Sequence, residues 1–345
     1  MGADPDKVHF VGSIALDSVE EVLHEVGTTC GRRLRRVPDG EPGGRRLWIS
    51  WQWPVLRASA YLQEVRPQPQ GRVGPPILEL APGVDPADIV FGEIGYAREA
   101  RASYQDFLAA RERGDLPAEV KFQVALPTPF AVISAFMVPE SMQAVMPAYE
   151  RAMFAEVRRL AEAIPREDLA IQWDVCIEMV IWDGQPSIIP RFPGAQEVVK
   201  QTLKRCLDAV PADVEMGIHL CYGDWDAKHF VEPVDAAREV DLANTIVELA
   251  DRPIAWMHMP VPIARTDDAF YAPLSYLRLG PEPELYLGLV HGDGRDRQRI
   301  DAAAKVVSGF GIATECGIAR QRTPERVREL IRAHAAASAE PVGAT

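Results

Sequence analysis

The chain has 345 residues, 47% of them hydrophobic, with 50 acidic against 37 basic side chains and a formal net charge of -13. Without a lysine/arginine stripe to neutralise phosphates, this balance argues against a nucleic-acid partner. Five cysteines, at 30, 176, 206, 221 and 316, are too few and too scattered for a disulfide framework.

No apolar stretch behind the start is long enough for a signal peptide. The most apolar stretch, 122–139, holds three prolines, which suits a buried strand and loop better than a membrane span. The expectation is a cytoplasmic enzyme with a small-molecule substrate and no membrane partner; a homodimer is compatible with it.

In chain order, eight short β-branched or apolar runs read as strands: 8–14, 88–92, 121–126, 170–176, 215–221, 254–259, 285–290 and 311–314. Helical periodicity fills most of the intervals, at 141–163, 194–210, 233–250, 295–307 and 324–337. Strands alternating with helices over this length predict an α/β protein, a closed (β/α)8 TIM barrel forming one domain over 1–340. Residues 30–87 break the rhythm after the first strand. They hold the turn Pro38-Asp39-Gly40-Glu41-Pro42-Gly43 and the tryptophans Trp48, Trp51 and Trp53. In a barrel a long βα connection sits over the C-terminal mouth, so this insertion is expected to wall or cover the site. The alternative is a helix packing its tryptophans on the outside. Roles for Asp39 and Glu41 stay open.

Three strand ends carry the chemistry. His219 and Cys221 are two apart, so in a strand they share a face; Cys316 follows another strand and can join them. An imidazole and two thiolates converging leave one tetrahedral zinc position open. Sulfur-rich zinc suits binding a thiol as thiolate, whereas hydrolytic zinc more often carries histidine and carboxylate. The competing reading is three residues packed in a core, since buried free cysteine is common.

His219-Leu-Cys221-Tyr222 and Glu315-Cys316-Gly317-Ile318-Ala319-Arg320 resemble the zinc motifs of the catalytic barrel of cobalamin-independent methionine synthase, in the superfamily that also holds uroporphyrinogen decarboxylase. Collinear with them, Val11-Gly12-Ser13, Val90-Phe91-Gly92-Glu93, Gln172-Trp173-Asp174 and Leu-Gly-Leu-Val-His291 are similar to further family segments. The Pro-Asp-Gly-Glu element and Met259-Pro-Val-Pro-x-x-Arg265 resemble short, stand-alone methionine-synthase-like proteins. The resemblance implies a TIM barrel and a zinc ion on His219, Cys221 and Cys316. It implies Ser13, Glu93 and Asp174 as substrate-binding residues, His291 with Asp174 as catalytic, and a folate as candidate methyl donor. Without it, Asp174 reads as a hydrogen-bonded strand end, Glu93 as a helix cap and Ser13 as a turn residue.

One departure stands out: the sixth strand candidate carries no Asp or Glu to serve as the family's acidic ligand. Either His258 or no protein residue takes that place. The expected function is zinc-dependent alkyl transfer to a thiol. Two alternatives come from other classes. One is a metal-free lyase or decarboxylase using Arg45, Arg46, Arg265 and Arg320 on carboxylates. The other is a non-catalytic binding barrel. The insertion's tryptophans with Trp173, Trp225 and Trp256 suggest an apolar or aromatic pocket wall, though at least half of them are expected in the core.

Overall fold

The computed structural model describes residues 7–68, 74–187, 189, 192–223 and 228–339; Trp225, the first six residues and the end of the Ala-rich tail lie outside these. Nine strands form among them. They are β1 (Arg36–Pro38), β2 (Leu62–Glu64), β3 (Leu78–Leu80), β4 (Lys121–Pro127), β5 (Leu169–Val175), β6 (Glu215–Leu220), β7 (Trp256–Pro260), β8 (Glu284–Gly288) and β9 (Gly311–Ile312).

Seven of them make one parallel sheet in the order β1-β4-β5-β6-β7-β8-β9, curled as in a TIM barrel; β2 and β3 form a separate antiparallel pair. Helices connect the parallel strands, as parallel pairing requires. The longest spans Pro139–Ala163, close to the expected 141–163. The main core lies between sheet and helices. A small separate cluster of Ala170, Trp256 and Tyr286 fills the inside of the curl.

Two expectations are corrected. The closed eight-stranded barrel is not formed among the described residues. The segment expected as the first strand, 8–14, stands between the two sheet edges and touches both by isolated bridges. Val8 pairs with Leu34 and with Ile312, and Ile14 with Ile318. The reason is hydrogen-bond competition. Gln123 Nε2 donates to the carbonyls of Phe10 (3.1 Å) and Val11 (2.8 Å), and Gln172 Nε2 donates to Val11 (2.7 Å). Backbone acceptors that a ladder would use are taken by side-chain amides inside the curl.

The second strand is Arg36–Pro38, not 88–92. Residues 86–88 form a 3-10 turn, and Val90 is exposed. The strand is only three residues long, with no apolar run to mark it, and it opens on the charged Arg36. Arg36 is buried and paired to Glu284 at 2.8 Å and to Glu215, with its guanidinium 4.1 Å from the Trp256 ring centroid. The long insertion therefore follows β1, and the 30–87 boundary encloses a strand of the sheet itself.

Register places the chemistry. Asp174 pairs with His219 and His219 with His258, in one row near the C-terminal ends of β5, β6 and β7. Gly217, two residues before His219, is required by packing. A Cβ there would lie 2.0 Å from the Trp256 indole.

Candidate metal centre and cavity

His219 is the penultimate residue of β6, Cys221 follows the strand, and Cys316 lies in the loop after β9. The two sulfurs are 3.6 Å apart, and one histidine nitrogen and both sulfurs lie within 4.8 Å of one another. His219 and Cys221 are buried, Cys316 half-buried. The loop carrying Cys316 is tightened by Thr314, whose hydroxyl donates to the Cys316 carbonyl at 2.8 Å. Gly317 is needed beside it, since a Cβ there would lie 2.4 Å from Ser13 Oγ. The Gly223 N–H donates to Cys221 Sγ at 3.2 Å. The Cys221 thiol is held well above its ordinary range, first by the adjacent Cys176 thiol and further by burial, against opposing hydrogen bonds from Cys316 and Gly223. A cation between these sulfurs would reverse that sign, because it stabilises the thiolate.

A chain of tautomers settles which nitrogen His219 offers. His258 Nε2 lies 2.9 Å from the Thr314 carbonyl, which can only accept, so Nε2 carries the hydrogen. Burial lowers the His258 pKa to about 4, leaving the ring neutral with a lone pair on Nδ1. That Nδ1 is 2.8 Å from His219 Nδ1, so His219 donates there. His219 is itself held neutral by burial and by its neighbours His258 and His9. Its Nε2 is left as a buried lone pair with no hydrogen-bond partner. An orphaned acceptor nitrogen beside two thiols is a donor set suited to a soft divalent cation. A ligating imidazole whose other nitrogen is held by a hydrogen bond is the usual arrangement at such sites. His258 spends both nitrogens on this relay, leaving neither lone pair free.

Beside these residues, at the same end of the cavity, stand two carboxyls. Asp174 accepts from Gln172 Nε2 at 2.9 Å and from Trp48 Nε1 at 3.1 Å. Burial raises its pKa to about 7, those hydrogen bonds opposing the shift. Glu41, in a left-handed backbone conformation (φ 50), is pushed well above the usual carboxylate range by burial and by repulsion from Asp174 and Asp39; Arg45 and Arg320 oppose this. Asp39 is engaged structurally. It accepts from Arg45 at 2.7 Å, from Ser103 Oγ at 2.7 Å and from the Glu41 N–H at 2.9 Å.

These groups share one cavity of about 590 Å³, lined by Ser13, Glu41, Trp48, Asp174, His219, Cys221 and Cys316 together with Cys176 and Arg320. The insertion contributes Leu47 to Ser50, Pro75 and Ile77 to its wall. Two expected site residues are elsewhere. Glu93 is exposed, in the loop before the helix Tyr96–Arg113, and does not line the cavity. With no strand at 88–92 to carry it inward, its place beside Asp174 is held by Glu41, in the turn that follows β1. The signal was present in Pro-Asp-Gly-Glu, but it could be used only with β1 recognised.

His291 is buried yet also outside the lining. Strand β8 ends at Gly288, and the chain turns back through Val290, whose N–H donates to Ala313. His291 Nε2 then donates to the Val261 carbonyl at 2.9 Å, and its Nδ1 lies 4.0 Å from Glu315. Of the described tryptophans, Trp48 lines the cavity. Trp51 packs edge-on against Tyr96, Trp53 donates to the Pro76 carbonyl, and Trp173 faces Phe154 on the helix side. The four arginines do not converge. Arg46 donates to the Leu16 carbonyl, Arg265 to those of Pro233 and Val234, and Arg45 to Asp39; only Arg320 lines the cavity.

No protein-family model and no curated protein sequence matches this chain. Among solved structures, it is similar to a Listeria monocytogenes protein whose assignment as a vitamin-B12-independent methionine synthase is provisional. The TM-score is 0.57 at 14% identity, over 96% of each chain. It is also similar to a methyltransferase from Methanosarcina mazei, with TM-score 0.49 at 14% identity, over 95% of this chain and 94% of that one. At such identity the likeness is one of fold, and the resemblance read in the sequence holds at that level.

Proposed function

We propose that the protein is a zinc-dependent alkyltransferase that moves a methyl or similar group to a thiol, with His219 Nε2 and the sulfurs of Cys221 and Cys316 holding the ion. The observation that carries this reading is the unpartnered His219 Nε2, buried against two thiols at the edge of a large cavity. When bound, zinc would lower the pKa of an incoming thiol so that it reacts as the thiolate. The chain's own residues do the rest. His258 fixes the His219 tautomer. Asp174, raised to about 7, can hold or release a proton near neutral pH. Glu41 and Ser13 offer further polar contacts to a substrate in the cavity, and the insertion around Trp48 covers it from water. A folate remains the candidate donor.

Elemental analysis of the purified protein tests the reading, with about one zinc per chain expected from three protein ligands. Metal-free protein with its fold intact, or unchanged metal content in a Cys221→Ser/Cys316→Ser double variant, would overturn it.

A further inference from the structure

We infer that the thiol taken by this site carries a bulky apolar body, an aryl or branched-alkyl group, in place of the short polar chain of an amino-acid thiol; the inference rests on the thiol-binding reading above. The cavity holds about 590 Å³, within the range of about 300–1,000 Å³ that encloses drug-sized molecules.

Its lining is divided. The polar groups gather with the metal residues. Asp174 pairs in register with His219, and Glu41 interacts with both Asp174 and Arg320. The apolar wall comes from the connections that follow β4 and β5. Helix Pro129–Phe136, its capping residue Met137 and the start of Pro139–Ala163 supply Phe130, Phe136, Met137 and Met142, and helix Ile177–Asp183 supplies Ile177 and Ile181. These connections leave the C-terminal ends of the strands, on the same side as the metal residues.

An amino-acid thiol would occupy the polar end only, leaving that wall unfilled; moved deeper, its charged groups would lose water without partners. An apolar body anchored by sulfur fills the wall, and burial of apolar surface is favourable in proportion to its area. Half-buried Met142, with its flexible thioether, can adapt to the shape of such a group.

Protein loaded with Co(II) in place of zinc tests this without turnover, through its sulfur-to-cobalt charge-transfer bands. Titrated side by side, 2-phenylethanethiol is expected to half-saturate the spectral change at a concentration at least about tenfold below homocysteine. In Met142→Gln and, separately, Ile181→Ser, that ratio should shrink to below about threefold, cobalt content staying at about one per chain. Homocysteine binding as tightly or more tightly, or a ratio that survives both substitutions, overturns the inference and leaves the thiol-binding reading standing. Cobalt that binds but whose bands respond to neither thiol overturns both.

Discussion

Two neighbouring regions at the polar end of the cavity bury their atoms in opposite ways. On the sulfur side the key atom is left without a partner. His219 Nε2 is buried and unbonded, while every other polar atom of the His219–His258 pair is spent on orienting it. On the carboxyl side both oxygens of Asp174 are bonded, and burial is answered by a raised pKa. A buried acceptor lacking a donor costs stability unless something arrives to fill it. A buried carboxyl can instead remove its own charge by keeping a proton. Under the proposed function, the first region suits a cation and the second a proton.

The largest effect should come from the sulfur side. Cys316→Ser is expected to abolish tight metal binding, while Cys176→Ser, which removes the thiol beside Cys221 from outside the ligand set, leaves the metal content unchanged. Equal metal loss in the two variants would move Cys176 into the ligand set and break the assignment.

Next is Asp174→Asn, which keeps the size and one of the two accepted hydrogen bonds but not the titrating proton. Thiol alkylation should fall by at least about a hundredfold with metal content intact. An active variant would show that the carboxyl side binds without moving a proton.

A smaller effect separates orientation from ligation. His258→Phe should weaken metal affinity by about ten- to a hundredfold, the usual cost of losing the group that holds a ligating imidazole. His258→Gln, which can accept from His219 and donate to Thr314, should restore most of it. Loss as complete as in Cys316→Ser would make His258 a ligand after all. Competition with a chromophoric chelator gives these affinities.

The smallest effect concerns a carboxyl behind the apolar wall. Glu178 accepts from Thr128 through one oxygen, the other is unpartnered, and burial raises its pKa from 4.5 to about 7. Between those values the folded state keeps a proton that the unfolded chain releases. Its stabilisation is therefore complete below pH 4.5 and is lost as pH rises towards 7. The loss is at most about 1.4 kcal/mol per pH unit. In urea unfolding at pH 5 and pH 7, Glu178→Gln should lose less stability than the parent over this interval. Parallel curves for the two proteins would show that Glu178 is ionised in the fold.

Local pattern was enough for some of this. The i, i+2 spacing of His219 and Cys221 put both on one face of β6, because strand side chains alternate whatever the neighbouring strands are. Apolar periodicity located five of the helices and six strands of the curled sheet to within a few residues, but not the helices Val19–Cys30 and Tyr96–Arg113. The turn at Pro-Asp-Gly-Glu was equally plain, since glycine there adopts a positive φ.

What only the tertiary structure decided were the pairings between distant segments. Arg36–Pro38 shows no apolar run; its pairing with β4 and the neutralisation of Arg36 by Glu215 and Glu284 make it a strand, and with it unread Glu93 was expected where Glu41 lies. His258 looked like a spare ligand until register set it against His219. His291 looked like a site residue until the end of β8 turned it towards Val261. A strand's own residues specify which face each side chain takes. Which groups meet across that face depends on register and on hydrogen bonds between strands far apart in the chain, and no local pattern encodes those.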